Sequence, residues 1–494
     1  MGRFFGVKFA ALIVLFSTPA VSVATPTDST PYRTDQILVA PAAGGSSSRL
    51  ARFHVRQRSR VLQTLPFADG LQVVSVPDGE TVAGLVSKYQ SSGLVRFAEP
   101  DYIRHLDLTT PNDPQFLDGT LWALSNYGQN GGTVHADIEA PLAWDVLTSA
   151  SNIVVAVLDT GIRYTHQDLA ANMWVNPADG GHGTNSFAGT NDPNDDEGHG
   201  TLLAGVIGAV GNNGIGIVGV AWKVQLMACK CFSSTGASSD SAIIAAIDYA
   251  RLNGANIINA SFDSTKFGVA LSNAVERARS AGIVFVASCG NNAVNVDTTP
   301  HYPACFNIDN VVSVAYTTRS DGLGQHSNFG ATKVALAAPG AGIYSSFFAS
   351  DNSYLGSPAL EGTSYAAAYV SGALALVLAK YPGESHQKSI ARLLAGTDPV
   401  PALAGKCVTG GRLNLFKTLA PPIQLSSLAS LIPGVLRFGV NSSPARVCAI
   451  QDSTDLIHWR TGSTNVTSMA GVFEFTELTL TNSAGRFYRA VDLP

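Results

Sequence analysis

Apolar and polar residues alternate in three distinct styles along this chain. Between Gln36 and about His105, strand-like apolar blocks at Gln36 to Ala40, Leu71 to Val76 and Leu94 to Phe97 are separated by amphipathic stretches at Arg52 to Leu65 and Thr81 to Tyr89. That order predicts a small β-α-β-α-β unit, an α+β plait. The next stretch, Asp107 to Asp113, has no period and contains Thr and Pro, and it reads as an exposed linker and cleavage region. From about Ala136 to Ala420 the pattern changes to near-continuous Val/Ile/Ala runs alternating with helical segments: Ile153 to Leu158, Val224 to Ala228, Ile257 and Ile258, Ile283 to Ala287, and Val311 to Ala315. Such runs predict an α/β sandwich with a mostly parallel sheet covered on both faces, its active site at the carboxyl ends of the strands. Beyond Pro421 and Pro422 the chain becomes rich in Ser and Thr. Short strand candidates at Val435 to Val440, Arg446 to Ile450, Val472 to Phe475 and Arg486 to Val491 suggest a small β-sandwich.

Composition adds limits. With 494 residues the chain exceeds what one hydrophobic core usually supports, and 48 glycines with only 14% charged residues fit buried sheet and tight turns. A net charge of −5 provides no extended basic surface, which argues against nucleic acid as a partner. The first 24 residues combine a short basic start, an apolar run from Phe9 to Phe16 and small residues at Ser22 and Ala24, the pattern of a signal peptide, so export is expected. No later run reaches the roughly 18 residues of a membrane span. Six cysteines in an exported chain permit disulfides. Cys289 and Cys305, flanking one polar loop, are the preferred pair, whereas Cys229 and Cys231 are read equally well as buried thiols. No spacing suits zinc.

The candidate chemistry lies in three islands. Asp159 ends the buried run Val157-Leu158-Asp159-Thr160-Gly161, His199 stands in Gly198-His199-Gly200-Thr201, and Ser364 in Glu361-Gly362-Thr363-Ser364. A hydroxyl becomes a useful nucleophile when an imidazole removes its proton, and the imidazole works best when a carboxylate fixes its tautomer. Singly, each island is an ordinary turn or helix cap. Together, in the order Asp, His, Ser, they resemble the subtilisin-like serine proteases over roughly Pro111 to Leu419.

That resemblance implies further expectations. Asn291, in Ser288-Cys289-Gly290-Asn291, would donate a hydrogen bond to the oxyanion. Ser261, Phe262 and Asp263 would form one substrate edge, with the segment around Gly236 as the other, and Ser288 and Gly290 would wall the first pocket, with His301 nearby. Asp263 and Ser264 replace the family's usual Gly-Gly, which could crowd the peptide edge or favour basic side chains. Gly211 to Val218 looks like the family's calcium loop, with Asp168, Asn213 and the carbonyls of Gly211, Ile215 and Ile217 as ligands of a structural Ca2+. The acidic loop of Asp192, Asp195 and Asp196 is read as a solvated face. The plait, residues 25–110, becomes an inhibitory propeptide removed by self-cleavage near Thr109 to Asp113. Residues 111–420 form the catalytic domain and 421–494 a C-terminal β module, read as a structural appendage, with binding to a cell surface, glycan or sorting partner as the alternative. Leu202, Ala368 and Tyr369 depart from the family's usual residues, and none of the three is a triad or oxyanion group. The expectation is a secreted, monomeric serine endopeptidase acting on peptides or proteins through an acyl-enzyme. A catalytically silent scaffold is the rival, and an α/β-hydrolase esterase is disfavoured because no Gly-x-Ser-x-Gly elbow surrounds Ser364.

Overall fold

The computed structural model describes residues 32–42, 47–65, 70–102, 108–420, 423–427, 435–441, 447–466, 472–478 and 486–492. The expected signal peptide lies outside them. The chain divides into two compact units between Asp107 and Leu108.

The first unit is a four-stranded antiparallel sheet in the spatial order Val61–Leu65, Leu71–Ser75, Tyr32–Pro41, Val95–Tyr102, with helices Ser47–Arg56 and Val82–Gln90. Thr81 caps the second helix by accepting from the Gly84 N–H, and Leu85 and Tyr89 bury that helix against Ile37, Val39 and Val74. His54 ties the first helix to this core, sharing hydrogen bonds with the Tyr89 hydroxyl at 2.7 Å and with Gln72 Oε1 at 2.9 Å. The plait therefore has one strand more than its pattern suggested. The chain leaves the helix at Arg56, turns through Arg58 at φ 56°, and continues as a strand whose Val61 and Leu62 are exposed. An edge strand that buries neither face carries no alternation to read.

In the second unit nine strands run in the order Asp398–Pro399, Gly411–Arg412, Leu336–Pro339, Val311–Thr317, Val284–Ser288, Ile257–Ala260, Ser149–Asp159, Lys223–Lys230 and Gly183–Asn185. All pairs are parallel except the first. Successive residues of Ser149–Asp159 enter opposite cores. Val155 and Val157 join the layer containing helices His199–Gly208 and Thr363–Lys380, while Val154, Ala156 and Leu158 join the layer of Asp240–Leu252 and Val269–Ser280. The eighteen-residue Thr363–Lys380 helix is apolar on nearly all sides because strands and helices surround it. Among the described residues no helix is long and apolar enough to cross a membrane.

Two expectations need correction here. Cys289 and Cys305 are not bridged; both are free, buried thiols in the same core layer as Cys229, Cys231 and Cys407. The interior already satisfies them as small apolar groups. The linker is also shorter than expected. Thr110 is exposed, but Pro111 and Asp113 are buried, and the Thr109 N–H donates to Asp145 at 2.7 Å.

The C-terminal residues form two three-stranded antiparallel sheets. One is ordered Gln424–Ser427, Val435–Asn441, Val472–Leu478 and the other Arg460–Val466, Val447–Ser453, Phe487–Asp492. Phe438, Val440 and Ile450 make their shared core, with Phe473, Phe475 and Tyr488 packed on it.

Candidate active site

Asp159, His199 and Asn291 all lie at or just beyond the carboxyl ends of the central strands or at the helix that follows them. Asp159 is the last residue of its strand and is 3% exposed. His199 opens the helix His199–Gly208, and its Nδ1 lies 2.8 and 2.9 Å from the two carboxylate oxygens of Asp159. The loops carrying them are locked together. Asp159 Oδ1 accepts from the Thr160 N–H at 2.8 Å, and the Thr160 hydroxyl accepts from the Gly200 N–H at 3.0 Å. Gly200 permits this approach, since a Cβ there would stand 2.1 Å from the Gly161 carbonyl oxygen. Burial alone would lower the pKa of His199. The attraction and hydrogen bond of Asp159, with smaller contributions from Glu197 and Asp195, act the other way and push it up to about 9.

The acidic loop before His199 is more than a solvated face. Asp195 is 2% exposed and accepts hydrogen bonds from the N–H groups of Glu197, Gly198 and Thr201 and from the Thr201 hydroxyl, so it organises the start of the His199 helix. Asp196 pairs with Lys230, a buried lysine that also donates to the Thr160 carbonyl at 2.5 Å. Asp192 remains exposed and accepts from Tyr164 and the Asn194 N–H.

Ser364 lies in the first turn of the Thr363–Lys380 helix and is 7% exposed. First-turn N–H groups have no intrahelical acceptor. The Gly362 N–H is taken by the Gly340 carbonyl at 2.8 Å, and the Thr363 N–H by Asn291 Oδ1 at 2.9 Å. The Ser364 N–H is the next donor in line. Asn291 Oδ1 also accepts from the Thr363 hydroxyl at 3.0 Å, so both lone pairs of the oxygen are used and Nδ2 is the end left to donate. The next ring along, Tyr365, lies 6.4 Å from the His199 ring, centroid to centroid.

A buried relay fixes the serine helix to the sheet, and its members went unrecognised as such in the sequence. Ser371, two turns along the helix, donates to Asn259 Oδ1 at 2.9 Å. Asn259 Nδ2 donates to the Ser261 hydroxyl at 3.0 Å, and that hydroxyl donates to the Ser364 carbonyl at 3.4 Å. The available signal was a fully buried Asn at a strand end, which must be hydrogen-bonded.

The expected substrate edges are placed less evenly. Phe262 and Phe232 stack obliquely with centroids 5.4 Å apart, bringing the Ser261–Asp263 segment beside the segment leading to Gly236. Gly236 itself is in an exposed turn closed by the Ser233 N–H on the Ala237 carbonyl at 2.8 Å. Ser288 is 2% exposed at the end of its strand, and Gly290 follows with φ +101°, a backbone conformation that suits glycine. Asp263 is not a free acid: its Oδ2 makes a short hydrogen bond with Nδ1 of His301. The Ser264 and Tyr302 backbones exchange two hydrogen bonds at 2.9 and 2.8 Å, pinning these segments together.

The Gly/Asn loop is closed around Asp168, which is fully buried. Its Oδ1 accepts from Asn213 Nδ2 at 2.7 Å, and its Oδ2 accepts from the Ile217 N–H at 2.9 Å and the Tyr354 hydroxyl at 3.0 Å. Asn213 thus turns its nitrogen, not its oxygen, toward Asp168. A second buried carboxylate, Asp113, adjoins the loop by accepting from the Asn212 N–H at 2.7 Å; burial pushes its pKa up to about 6, with Asp168 adding to the rise. Burial likewise raises Asp168. Asp113 Oδ1 and Gln115 Oε1 are buried without a hydrogen-bond partner. Among the described residues no three His, Cys, Asp or Glu side chains gather, so a cation here would rely on amide and carbonyl oxygens as well.

Leu202, on the His199 helix, and Ala368 and Tyr369, on the serine helix itself, are all buried in the core layer that these helices share.

Residues 150–410 match the subtilase family, and residues 18–101 match the fervidolysin N-terminal prodomain. Thermitase of Thermoactinomyces vulgaris is 32% identical over 310 residues, covering 63% of this chain and 99% of thermitase. Subtilisin DY of Bacillus licheniformis is 36% identical over 233 residues, covering 47% of this chain and 78% of that one. Among solved structures, a protease of Pseudoalteromonas arctica aligns with a TM-score of 0.51 at 29% identity, covering 63% of this chain and 99% of its own. A cold-adapted subtilisin-like serine proteinase aligns with a TM-score of 0.50 at 25% identity, covering 59% and 97%. This chain belongs to the subtilase family of serine proteases and carries an N-terminal prodomain.

Proposed function

We propose that the chain is a secreted serine endopeptidase, made as a self-processing zymogen, in which Asp159, His199 and Ser364 are the catalytic triad. The observation that carries this reading is the two-oxygen contact of Asp159 with His199 Nδ1, which fixes the imidazole with Nδ1 protonated and Nε2 available as a base. Nε2 would take the Ser364 proton as Oγ attacks the scissile carbonyl. The resulting oxyanion would be held by Asn291 Nδ2 and the Ser364 N–H, at the positive end of a long helix. His199 would then return the proton to the departing amine, leaving an acyl-enzyme. Water, deprotonated by the same Nε2, would release the acid and restore Ser364. On this reading the prodomain is the intramolecular inhibitor and folds upstream of the cleavage region, and the substrate lies extended against the strand edges.

The test is treatment of processed protein with a serine-directed sulfonyl fluoride or organophosphonate. The expected result is a stoichiometric mass gain located at Ser364. A protein that is folded and processed but unlabelled would favour the silent scaffold instead.

We further propose a structural calcium at the Asp168 loop. The residues fit a hard cation: the buried carboxylates of Asp168 and Asp113, the latter with Oδ1 unpartnered, the unpartnered Gln115 Oε1, and the Gly211, Ile215 and Ile217 carbonyls of a Gly/Asn turn. Asp113 and Gln115 enter this set from the structure, and Asn213 would join it by turning its amide over. A cation would also reverse the cost of burying Asp113 and Asp168 as anions. A ligand at a hundredfold its Kd adds about 2.7 kcal/mol, so calcium is expected to raise Tm by about 5–10 °C over chelated protein. In Asp113→Asn most of that rise should vanish. An identical Tm with calcium and with chelator would remove the site.

A further inference from the structure

The crevice between the ends of two adjacent parallel strands, Ile257–Ala260 and Val284–Ser288, holds a hydrogen-bonded Asp–His pair, Asp263 and His301, that the catalytic reading does not use. Ser261 to Asp263 follow the first strand and Cys289 to Asn291 the second. At the inner end of this crevice the Ser261 hydroxyl touches the Ser364 carbonyl, and Asn291 holds Thr363. A substrate residue whose carbonyl meets Ser364 and Asn291 therefore has this crevice beside it, with Gly290 as the wall. A Cβ at Gly290 would lie 2.4 Å from Nδ2 of the buried Asn328, 3.1 Å from His301 Nδ1 and 3.2 Å from Asp263 Oδ2. The bare Gly290 backbone therefore packs beside the pair. The two members are unequal: the His301 side chain is 5% exposed and that of Asp263 26%. His301 holds Oδ2, and among the described residues nothing donates to Oδ1. The partly exposed member is the Asp263 carboxylate, one oxygen of which is fixed by a nearly buried histidine.

We infer that Asp263, held by His301, is the specificity determinant of the pocket for the residue preceding the scissile bond, and that it selects lysine or arginine there. A long cationic side chain can lay its aliphatic stem along the Gly290 backbone and donate to Oδ1, a charge-assisted hydrogen bond that a leucine or phenylalanine cannot make. Apolar side chains at the same place would strip water from the carboxylate without replacing it. This rests on the serine-protease reading above, and the experiment separates the two. Peptides differing only in that residue (Lys, Arg, Leu or Phe) are compared by kcat/KM on processed wild type and Asp263→Asn, with sulfonyl fluoride labelling of Ser364 measured on both. The expected result is a wild-type preference for Lys and Arg of about ten- to hundredfold, the scale of a hydrogen bond to a charged group, which collapses in Asp263→Asn. Wild type that labels at Ser364 but prefers Leu or Phe overturns the inference and leaves the catalytic reading standing, whatever the folding of the variant. A variant that keeps the wild-type ratio also overturns it. Absence of labelling in wild type overturns both.

Discussion

Replacing Ser364 by alanine is expected to lower kcat for peptide hydrolysis by about 10⁶, the scale of removing a triad serine in a subtilisin, with a residue of catalysis left to the oxyanion donors and binding. The loss is large because one side chain supplies both the nucleophile and the atom that carries the acyl group. Asn291, Thr363 and the relay through Ser261, Asn259 and Ser371 do not depend on the serine hydroxyl: Thr363 is held by its own N–H and hydroxyl, and the relay ends on the Ser364 backbone carbonyl. Folding should therefore survive, and once the prodomain that the variant cannot release has been removed by an added protease, thermal unfolding of the mature form should be close to wild type. A Ser364→Ala protein of equal Tm that retains a tenth of wild-type turnover would show that the hydroxyl is not the nucleophile.

Asp159→Asn is expected to lower kcat by about 10⁴, because an amide can present either a donor or an acceptor to Nδ1 and no longer enforces the tautomer with Nε2 as base. A pH profile distinguishes this from simple damage. Protonated His199 cannot accept the serine proton, so kcat/KM must fall as pH drops through the pKa of His199. Asp159 lifts that pKa above the ordinary 6.5, toward about 9, against the opposing effect of burial. The wild-type acid limb is therefore expected on the alkaline side of 6.5. In Asp159→Asn the upward effect is lost while burial remains, and the limb should move to lower pH as the plateau drops. A wild-type limb below 6.5, or one that moves upward in the variant, would contradict this account of the pair.

What was legible in the chain follows from which residues bury a regular face. The central strands were visible because both of their faces are covered, so Ile153 to Leu158 reads as an unbroken apolar run. Val61–Leu65 and Arg460–Val466 escaped notice because their residues are mainly exposed, and an edge strand is held by backbone pairing that leaves no mark on side-chain pattern. The three islands announced the candidate chemistry through glycines and a fixed order, whereas the residues that position them did not. Asp195 looked like one of several surface acids, and nothing in the pattern marked Lys230. Their roles come from loops that meet only in the folded chain. Asp113 was hidden in the same way, since its relation to Asn212 spans 99 positions. The unbridged Cys289 and Cys305 show the converse, because closeness along a loop does not by itself make a disulfide.

The central claim is that Ser364 matures its own chain and then serves as the protease nucleophile. The most direct test is intact mass and N-terminal sequencing of wild type beside Ser364→Ala, both expressed in full and held with calcium. The account predicts that wild type begins near Thr109 to Asp113 while the variant keeps its prodomain. Wild type that stays full-length, or a variant trimmed at the same bond, would contradict it.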